Sequence, residues 1–464
     1  MRCQCDQATN IQNRGDIMEI MRYPSISKLL VALGCMGLLV CTSQIATAAA
    51  KQVLVISVTK GFTHSSIPEG EKIVKTLGEK SGLWTTDFAR TDAELAEKTT
   101  AAALKKYAVV VFNNTTGDLP LADKQAFLDW VKGGGAVYGI HAATDTFHNW
   151  PEFVEMMGGE FKGHGPQSEV EFLIIDPKHP ATKGLNNFKH NEEIYQFNVT
   201  MNNWLPDKVR VLIALDKHPN TGKPGFYPIA WVRSYGKGRV FYTAIGHRED
   251  LMQTPEVQAH YLGAMKWALG IEKGDSKPLP PPPPVTEQEK KEGFIPLFDG
   301  VSLKGWHNRD EGRKPWTVQY GMLVMGDGGT DLISDQKFGD FIIRYEYMIP
   351  KGGNSGVYLR GRYEIQVLDD FGGQPSKSGN GAIYDKIAPS VVASRPAGEW
   401  QTVEAKLVGN RVTVVLNGVK VVDNQPIDGP TGGALDGNVD QPGPIMLQGD
   451  HGPVAYRKIR IKPL

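Results

Sequence analysis

The sequence predicts two domains in series: an N-terminal open α/β domain with a mainly parallel sheet, then a C-terminal all-β sandwich of the jelly-roll type. Three observations predict it. Continuous apolar runs alternate with amphipathic helical stretches up to about residue 270. Beyond residue 293, short alternating strands and Gly-rich turns dominate and no long helical period occurs. Between them the composition breaks at Pro278, the unbroken proline run 280–284 and the charged stretch Glu287-Gln288-Glu289-Lys290-Lys291-Glu292. The prolines predict a stiff polyproline II spacer and the charges a solvated tail, so residues 271–293 read as a linker. At 464 residues the chain is also too long for one ordinary core.

Residues 1–50 read as a leader. Met21-Arg22 and Lys28 supply a basic start, residues 29–40 an apolar core, and Ala46-Thr47-Ala48 a small-x-small cleavage site. This predicts cleavage near Ala48 and export, to the periplasm or beyond. Leu38-Leu39-Val40-Cys41 fits a lipoprotein box less well, because Val is a poor residue before the cysteine. All four cysteines (Cys3, Cys5, Cys35 and Cys41) precede residue 42, so the remaining chain has no disulfide, thiolate metal site or cysteine nucleophile. No second long apolar segment follows, so stable membrane insertion of the mature chain is not expected. The 51 basic and 51 acidic residues cancel, which argues against a nucleic-acid partner. Oligomeric state is left open.

Residues 51–270 are assigned to the first domain. Residues 53–58, 108–112, 136–140 and 240–245 are apolar runs of the kind buried on both sheet faces. Helical stretches are expected over 66–80 and 121–131, the second closed by Gly133-Gly134-Gly135. Such sheets bind ligands at the carboxyl ends of their strands. Polar residues gather there: Lys60-Gly61-Phe62-Thr63-His64, Asn113-Asn114, His141 with Asp145, and Gly246-His247-Arg248-Glu249-Asp250. Of eleven histidines only His307 and His451 lie beyond this domain. His64, His141, His164 and His247 either converge on a divalent metal ion, or one serves as acid–base, or each merely hydrogen-bonds at a strand end. Spacing does not decide, since no HExxH pattern is present. No cofactor is otherwise indicated.

The motifs Gly61-Phe62-Thr63-His64, Gly139-Ile140-His141-Ala142-Ala143, Gly163-His164-Gly165, Glu192-Glu193-Ile194-Tyr195 and Gly246-His247 resemble the ThuA-like (trehalose-utilisation) family over essentially this whole domain. The resemblance implies a flavodoxin-like sheet similar to that of class I glutamine amidotransferases. Those enzymes carry a cysteine nucleophile on a sharp strand-to-helix elbow. Here His141 stands at that point with no thiol after residue 41, which rules out a thioester mechanism. A second site formed by His64, Asn113, His141, Asp145, His164 and His247 is the expectation.

The second domain, residues 294–464, is organised around residues 352–370. Val357 and Leu359 alternate with Tyr358 and Arg360, and after Gly361, Tyr363, Ile365 and Val367 alternate with Glu364 and Gln366. Alternation gives each strand one apolar and one polar face. It therefore predicts either a wet outer face or a sugar site of guanidinium, carboxylate, amide and phenol. Residues 341–349 alternate likewise, and Asn417-Gly418 marks a hairpin. Trp306, Trp316 and Trp400 are expected in the core rather than as sugar platforms.

Leu297-Phe298-Asp299-Gly300, Gly353-Asn354-Ser355-Gly356, Tyr363-Glu364-Ile365-Gln366, Gly381-Ala382-Ile383-Tyr384, Pro396-Ala397-Gly398-Glu399-Trp400 and Leu447-Gln448-Gly449-Asp450-His451-Gly452 resemble the 3-keto-disaccharide hydrolase family from residue 293 to the end. The resemblance implies a concanavalin-like jelly roll acting on glycosides oxidised at sugar carbon 3. A C3 ketone acidifies the C2 proton, so a base, an oxyanion stabiliser and a proton donor would suffice for β-elimination, and hydration would complete a net hydrolysis. Glu364 or His451 is assigned as base with the other as donor, and Arg360 as oxyanion holder, alone or beside a divalent cation. Glu364 with Asp369 is the carboxylate-pair alternative. Asn354, Tyr358, Gln366, Tyr384 and Gln448 are assigned to substrate binding. The competing reading is a non-catalytic glycan-binding sandwich that tethers the first domain to carbohydrate.

Overall fold

A computed structural model of the chain describes residues 49–198 and 208–464. The expected leader, its cleavage point at Ala48 and the four cysteines lie outside the described residues. The apolar runs become the centre of the first sheet. Its early strands are β1 (Lys51–Ile56), β2 (Trp84–Ala89), β3 (Val109–Asn113) and β4 (Ala136–Ile140), of which β3 and β4 are buried throughout. There follow β5 (Phe161–His164), β6 (Ser168–Ile174), β7 (Phe188–Glu192), β8 (Tyr195–Phe197), β9 (Arg210–Lys217), β10 (Pro224–Tyr235) and β11 (Gly238–Thr243). Nine of them form one sheet in the order β2-β1-β3-β4-β11-β10-β9-β6-β7.

Pairings from β2 to β11 are parallel. From β11 to β7 they are antiparallel, a half that the sequence does not foreshadow. The reason is the link between β10 and β11, only Gly236-Lys237, which is far too short for a crossover. Helices Ile67–Ser81, Lys124–Gly133 and Pro255–Ala268 cover the parallel half, the second capped by the Asp123 side chain accepting from Ala126 N–H. No helix among the described residues is long and apolar enough to cross a membrane.

The second domain is a sandwich of two antiparallel sheets. Its strands are β12 (Ile295–Pro296), β13 (Trp306–Asn308), β14 (Thr317–Gln319), β15 (Met322–Met325), β16 (Leu332–Phe338), β17 (Phe341–Met348), β18 (Asn354–Leu359) and β19 (Tyr363–Leu368). β20 (Gln401–Val408), β21 (Arg411–Leu416), β22 (Val419–Pro426), β23 (Gly443–Leu447) and β24 (Val454–Pro463) complete it. One sheet runs β14-β15-β24-β17-β20-β21-β22 with β12 added on β24, and the other β13-β16-β23-β18-β19. Phe341, Ile343, Tyr345 and Tyr347 of β17 face Val357, Leu359, Tyr363, Ile365 and Val367 in one apolar core. Trp306 and Trp316 are in that core as expected. Trp400 is not: it packs against the separate cluster of Met322, Val324 and Ala455, donates from Nε1 to Asp216 Oδ2 at 2.8 Å, and carries Arg457 over its ring.

Two expectations fail here for local reasons. The charged tail of the linker is not a free solvated segment. Residues Glu287–Lys291 form a helix closed by a Thr286/Glu289 capping box, and Glu289 accepts from Arg460 Nε at 2.6 Å, pinning the segment to β24. Arg360 does not continue the polar face of β18. Arg360 and Gly361 both take positive φ, 52° and 67°, in the turn closed by Arg362 N–H donating to Leu359 O, as in type I′ hairpins. The turn throws the guanidinium to the end of the sandwich, where it donates to Gly339 O (2.8 Å), Gly409 O (3.0 Å) and Asp340 Oδ1 (2.8 Å). These bonds hold a non-glycine residue in a left-handed conformation that L side chains rarely adopt. Arg360→Ala is therefore expected to cost about 1–3 kcal/mol in urea unfolding, because it removes a buried guanidinium together with the three hydrogen bonds that hold the turn. Catalytic turnover per folded molecule should change less than about threefold; a large loss would return Arg360 to the site.

Candidate functional site

The register of the five-stranded sheet builds a row of side chains across its outer face. Ile333 pairs with Met446, Met446 with Tyr358, and Tyr358 with Glu364. The next row begins with Gly356 opposite Gln366, and Gln448 N–H donates to Gly356 O at 2.9 Å. Glu364 is 4 % exposed and lies against Gly356, where a Cβ would stand 2.4 Å from Glu364 Oε1. Only glycine leaves room for the carboxylate here.

Tyr358 Oη lies 2.8 Å from Glu364 Oε2 and 3.0 Å from Gly432 O. One hydroxyl proton serves both protonation states. It is donated to the ionised carboxylate; when Glu364 is protonated, the carboxyl donates to Oη and the phenol turns to Gly432 O. With its amide nitrogen towards Glu364, Gln366 donates to Oε1 at 3.1 Å and to Ser355 O at 3.1 Å. Burial pushes the Glu364 carboxyl up to about 7, with Asp331 and Asp450 adding to the rise and Tyr358 and His451 opposing it. His451 Nδ1 meets Asp450 Oδ1 at 2.5 Å, which orients the half-exposed imidazole and leaves Nε2 for other work. Gln448 Nε2 reaches Tyr358 Oη at 3.5 Å.

Several assigned residues lie elsewhere. Arg360 is committed to the turn described above. Asp369 does not pair with Glu364; it follows β19 on the opposite parity and its Oδ2 accepts from Gly352 N–H at 2.8 Å, closing the loop before β18. Asn354 begins β18 on the same face as Gly356 and Tyr358, and Tyr384 sits beside the row, its N–H donating to Glu364 O at 3.0 Å. Sequence reasoning also missed Arg309, a cation held beside Asp331. Its Nη1 donates to Asp331 Oδ2 (3.0 Å) and Gly433 O (3.3 Å), while Asp331 Oδ1 accepts from Gly449 N–H (3.1 Å) and so fixes the His451 loop. Asp331 lies in a Gly328-Gly329-Thr330 turn context that carries no signal of its own.

The first domain holds a second cluster at the carboxyl ends of its parallel strands. Ligand atoms of His64, His141, Glu193 and His247 all lie within 4.8 Å of one another, so these four could hold a metal ion. His141 follows β4 at φ 46°, the elbow position. Its Nδ1 donates to Ala244 O at 2.7 Å and its carbonyl accepts from Tyr242 Oη at 2.8 Å. Burial, with His141 and His247 nearby, drives His64 down to about 3. Burial would raise Glu193, but His141 and His247 more than offset it and hold the carboxyl well below its usual range. His164 touches the cluster from outside, its Nδ1 lying 3.1 Å from Glu193 Oε2. Asn113 does not join; it donates to Ile67 O at 2.9 Å and ties the Ile67–Ser81 helix to β3. Asp145 instead holds His148 Nε2 at 2.7 Å.

Because the carboxyl of Glu364 titrates higher folded than unfolded, its effect on stability has a definite sign. Both states are protonated below about pH 4.5, and the folded state holds the extra proton between there and about pH 7. The contribution of Glu364 to stability should therefore fall as pH rises through this window. Urea unfolding of the Glu364→Gln variant should show the non-titrating amide gaining on wild type by on the order of 1–3 kcal/mol between pH 4 and pH 8. A difference that does not change with pH would place Glu364 in water.

Residues 52–268 match the family model for trehalose utilisation (ThuA), and residues 293–462 match the 3-keto-alpha-glucoside-1,2-lyase-like domain. A curated protein of Bacteroides thetaiotaomicron named 3-keto-disaccharide hydrolase is 28% identical over 236 residues, covering 42% of this chain and 75% of that protein. A candidate glycosyl hydrolase of Parabacteroides distasonis, solved by crystallography, is 30% identical, covers 37% of this chain and 84% of its own, and has a TM-score of 0.33. A ThuA-like protein of Bacteroides uniformis is 23% identical over 51% of this chain and 98% of its own, at a TM-score of 0.41. The chain thus joins a trehalose-utilisation (ThuA) domain to a 3-keto-alpha-glucoside-1,2-lyase-like domain in one polypeptide.

Proposed function

We propose that the chain is a carbohydrate-active enzyme whose sandwich domain cleaves 3-keto-glycosides, including 3-keto-disaccharides. The observation that carries this reading is the buried Glu364 carboxylate, held on Tyr358 Oη beside the Asp450–His451 pair. The sandwich family and the name of the Bacteroides thetaiotaomicron relative support the substrate class.

Glu364 removes the C2 proton. The C–H electron pair forms a C2–C3 double bond and the charge moves to the C3 oxygen, where Arg309 supplies a cation. The enolate then collapses, C1–O breaks, and the leaving oxygen takes a proton from His451 Nε2. The products are an alcohol and an unsaturated 3-keto sugar. Water adding across the C1–C2 bond of that sugar makes the sum a hydrolysis. Asn354, Gln366, Tyr384 and Gln448 orient the hydroxyls around this centre. A base that titrates near 7 is half ionised at neutral pH, yet basic enough to take an acidified carbon proton. The basic, apolar and small-residue order of 21–48 supports action outside the cytoplasm.

Incubating the full chain with 3-keto-trehalose in D2O should place deuterium at C2 of the product, with kcat/KM rising through an apparent pKa near 7. Glu364→Gln should lower kcat/KM by about a thousandfold. Gly356→Ala, which displaces the carboxylate, should lower it about tenfold to a hundredfold. Wild-type protein that binds the ketosugar and returns it unchanged would make the sandwich a glycan-binding module instead.

A further inference from the structure

The histidine cluster of the first domain has no part in the chemistry proposed for the sandwich. Its four members come from four separate segments. His64 lies in the loop after β1, His141 directly after β4, Glu193 directly after β7 and His247 in the loop after β11. Three imidazoles around one carboxylate, mostly stripped of water, is an unfavourable way to fill space. His64 Nδ1 and His141 Nε2 are buried and make no hydrogen bond. His247 Nδ1 lies 3.3 Å from Glu193 Oε1 but lacks the alignment of a bond. The bond from His141 Nδ1 to Ala244 O fixes the tautomer and leaves the Nε2 lone pair aimed into the cluster. Three imidazole nitrogens with no hydrogen-bond partner converge, then, on the same point as the Glu193 carboxylate.

We propose that His64, His141, His247 and Glu193 bind one divalent transition-metal ion, and that its open positions take two adjacent oxygens of a sugar. Three nitrogens and a carboxylate oxygen suit Mn(II), Fe(II), Co(II) or Zn(II), and on a six-coordinate ion they leave two positions for a chelating ligand. The surroundings name the ligand. Phe62 is 66 % exposed, and its ring stands edge-on to His64 with centroids 4.8 Å apart. A large apolar ring in water beside a polar centre is a surface for the face of a pyranose. A polar cavity of about 520 Å³ adjoins the cluster through His247, and Ser65, Gln167, Arg248 and Glu249 line it. That volume suits a mono- or disaccharide, and the Arg248 Nη1 bond to Gln167 Oε1 at 2.9 Å shows the polar rim already ordered.

The test uses the full chain, stripped with a chelator, reloaded with Co(II), Mn(II) or Zn(II), desalted and counted by mass spectrometry. About one ion per chain should remain. Glu193→Gln and His247→Ala should each weaken retention at least about tenfold, with circular dichroism confirming the fold. In the Co(II) form, adding 3-keto-glucose should shift the visible absorption bands. Phe62→Ala should weaken that response without loss of metal. Wild-type protein that retains no stoichiometric metal, or variants that retain it as well as wild type, would overturn the metal site. Metal held with no spectral response to the ketosugar would overturn the ligand assignment. Neither readout depends on cleavage at Glu364.

Discussion

Everything in the sandwich site follows from one carboxylate that the sheet removes from water and then holds still. Glu364 cannot sit over β18 unless position 356 has no side chain, and it cannot change protonation state cheaply unless its neighbour can reverse a hydrogen bond. Gly356 supplies the first condition, and Tyr358 with the Gly432 carbonyl supplies the second. Burial then does what burial does to any carboxyl: it disfavours the charge and moves the titration towards neutrality. The remaining parts serve this centre. Asp331 fixes the loop that carries His451, and Arg309 brings a positive charge that can remain exposed.

The two domains also meet each other directly. Trp400 donates to Asp216, Lys217 Nζ donates to Gly398 O at 2.6 Å, and Phe226 stacks on Tyr320 with centroids 4.4 Å apart. Pro278, Pro281, Pro282 and Pro284 line clefts shared by the two domains, so the proline segment runs along a contact surface instead of tethering independent bodies. In each domain the reactive groups are mounted on the most strongly determined part of the sheet. β18 and β19 are locked by register and a tight turn, while β4 and the elbow at His141 are locked by β11. A site built on such elements keeps its geometry without spending ligand-binding energy to form it.

What was legible in the sequence depended on whether a local rule governed the position. Alternation along residues 357–367 puts Tyr358, Glu364 and Gln366 on one face, because a strand leaves no other choice. The same rule failed at Arg360, one residue past the strand end, where positive φ takes over; Gly361 hinted at a turn but not at where the guanidinium would go. The strand-end rule located His64, His141 and His247. It missed Glu193, which arrives on β7 from the antiparallel half of the sheet and is brought near the others only by tertiary structure. Arg309 and Asp331 were hidden for the same reason, since they enter from the loops flanking β13 and β16 and meet the row through space alone.

The central claim is that Glu364 is a desolvated carboxyl poised near neutrality, and its own titration tests this most directly. Carbon-13 NMR of protein labelled at the glutamate side-chain carboxyl, with the Glu364 resonance assigned by its absence in Glu364→Gln, would follow that single group from pH 3 to pH 9. The account predicts a midpoint near 7. A midpoint at the ordinary glutamate value of about 4.3 would contradict it, because a carboxylate fully solvated at neutral pH has neither the environment nor the basicity assigned to it.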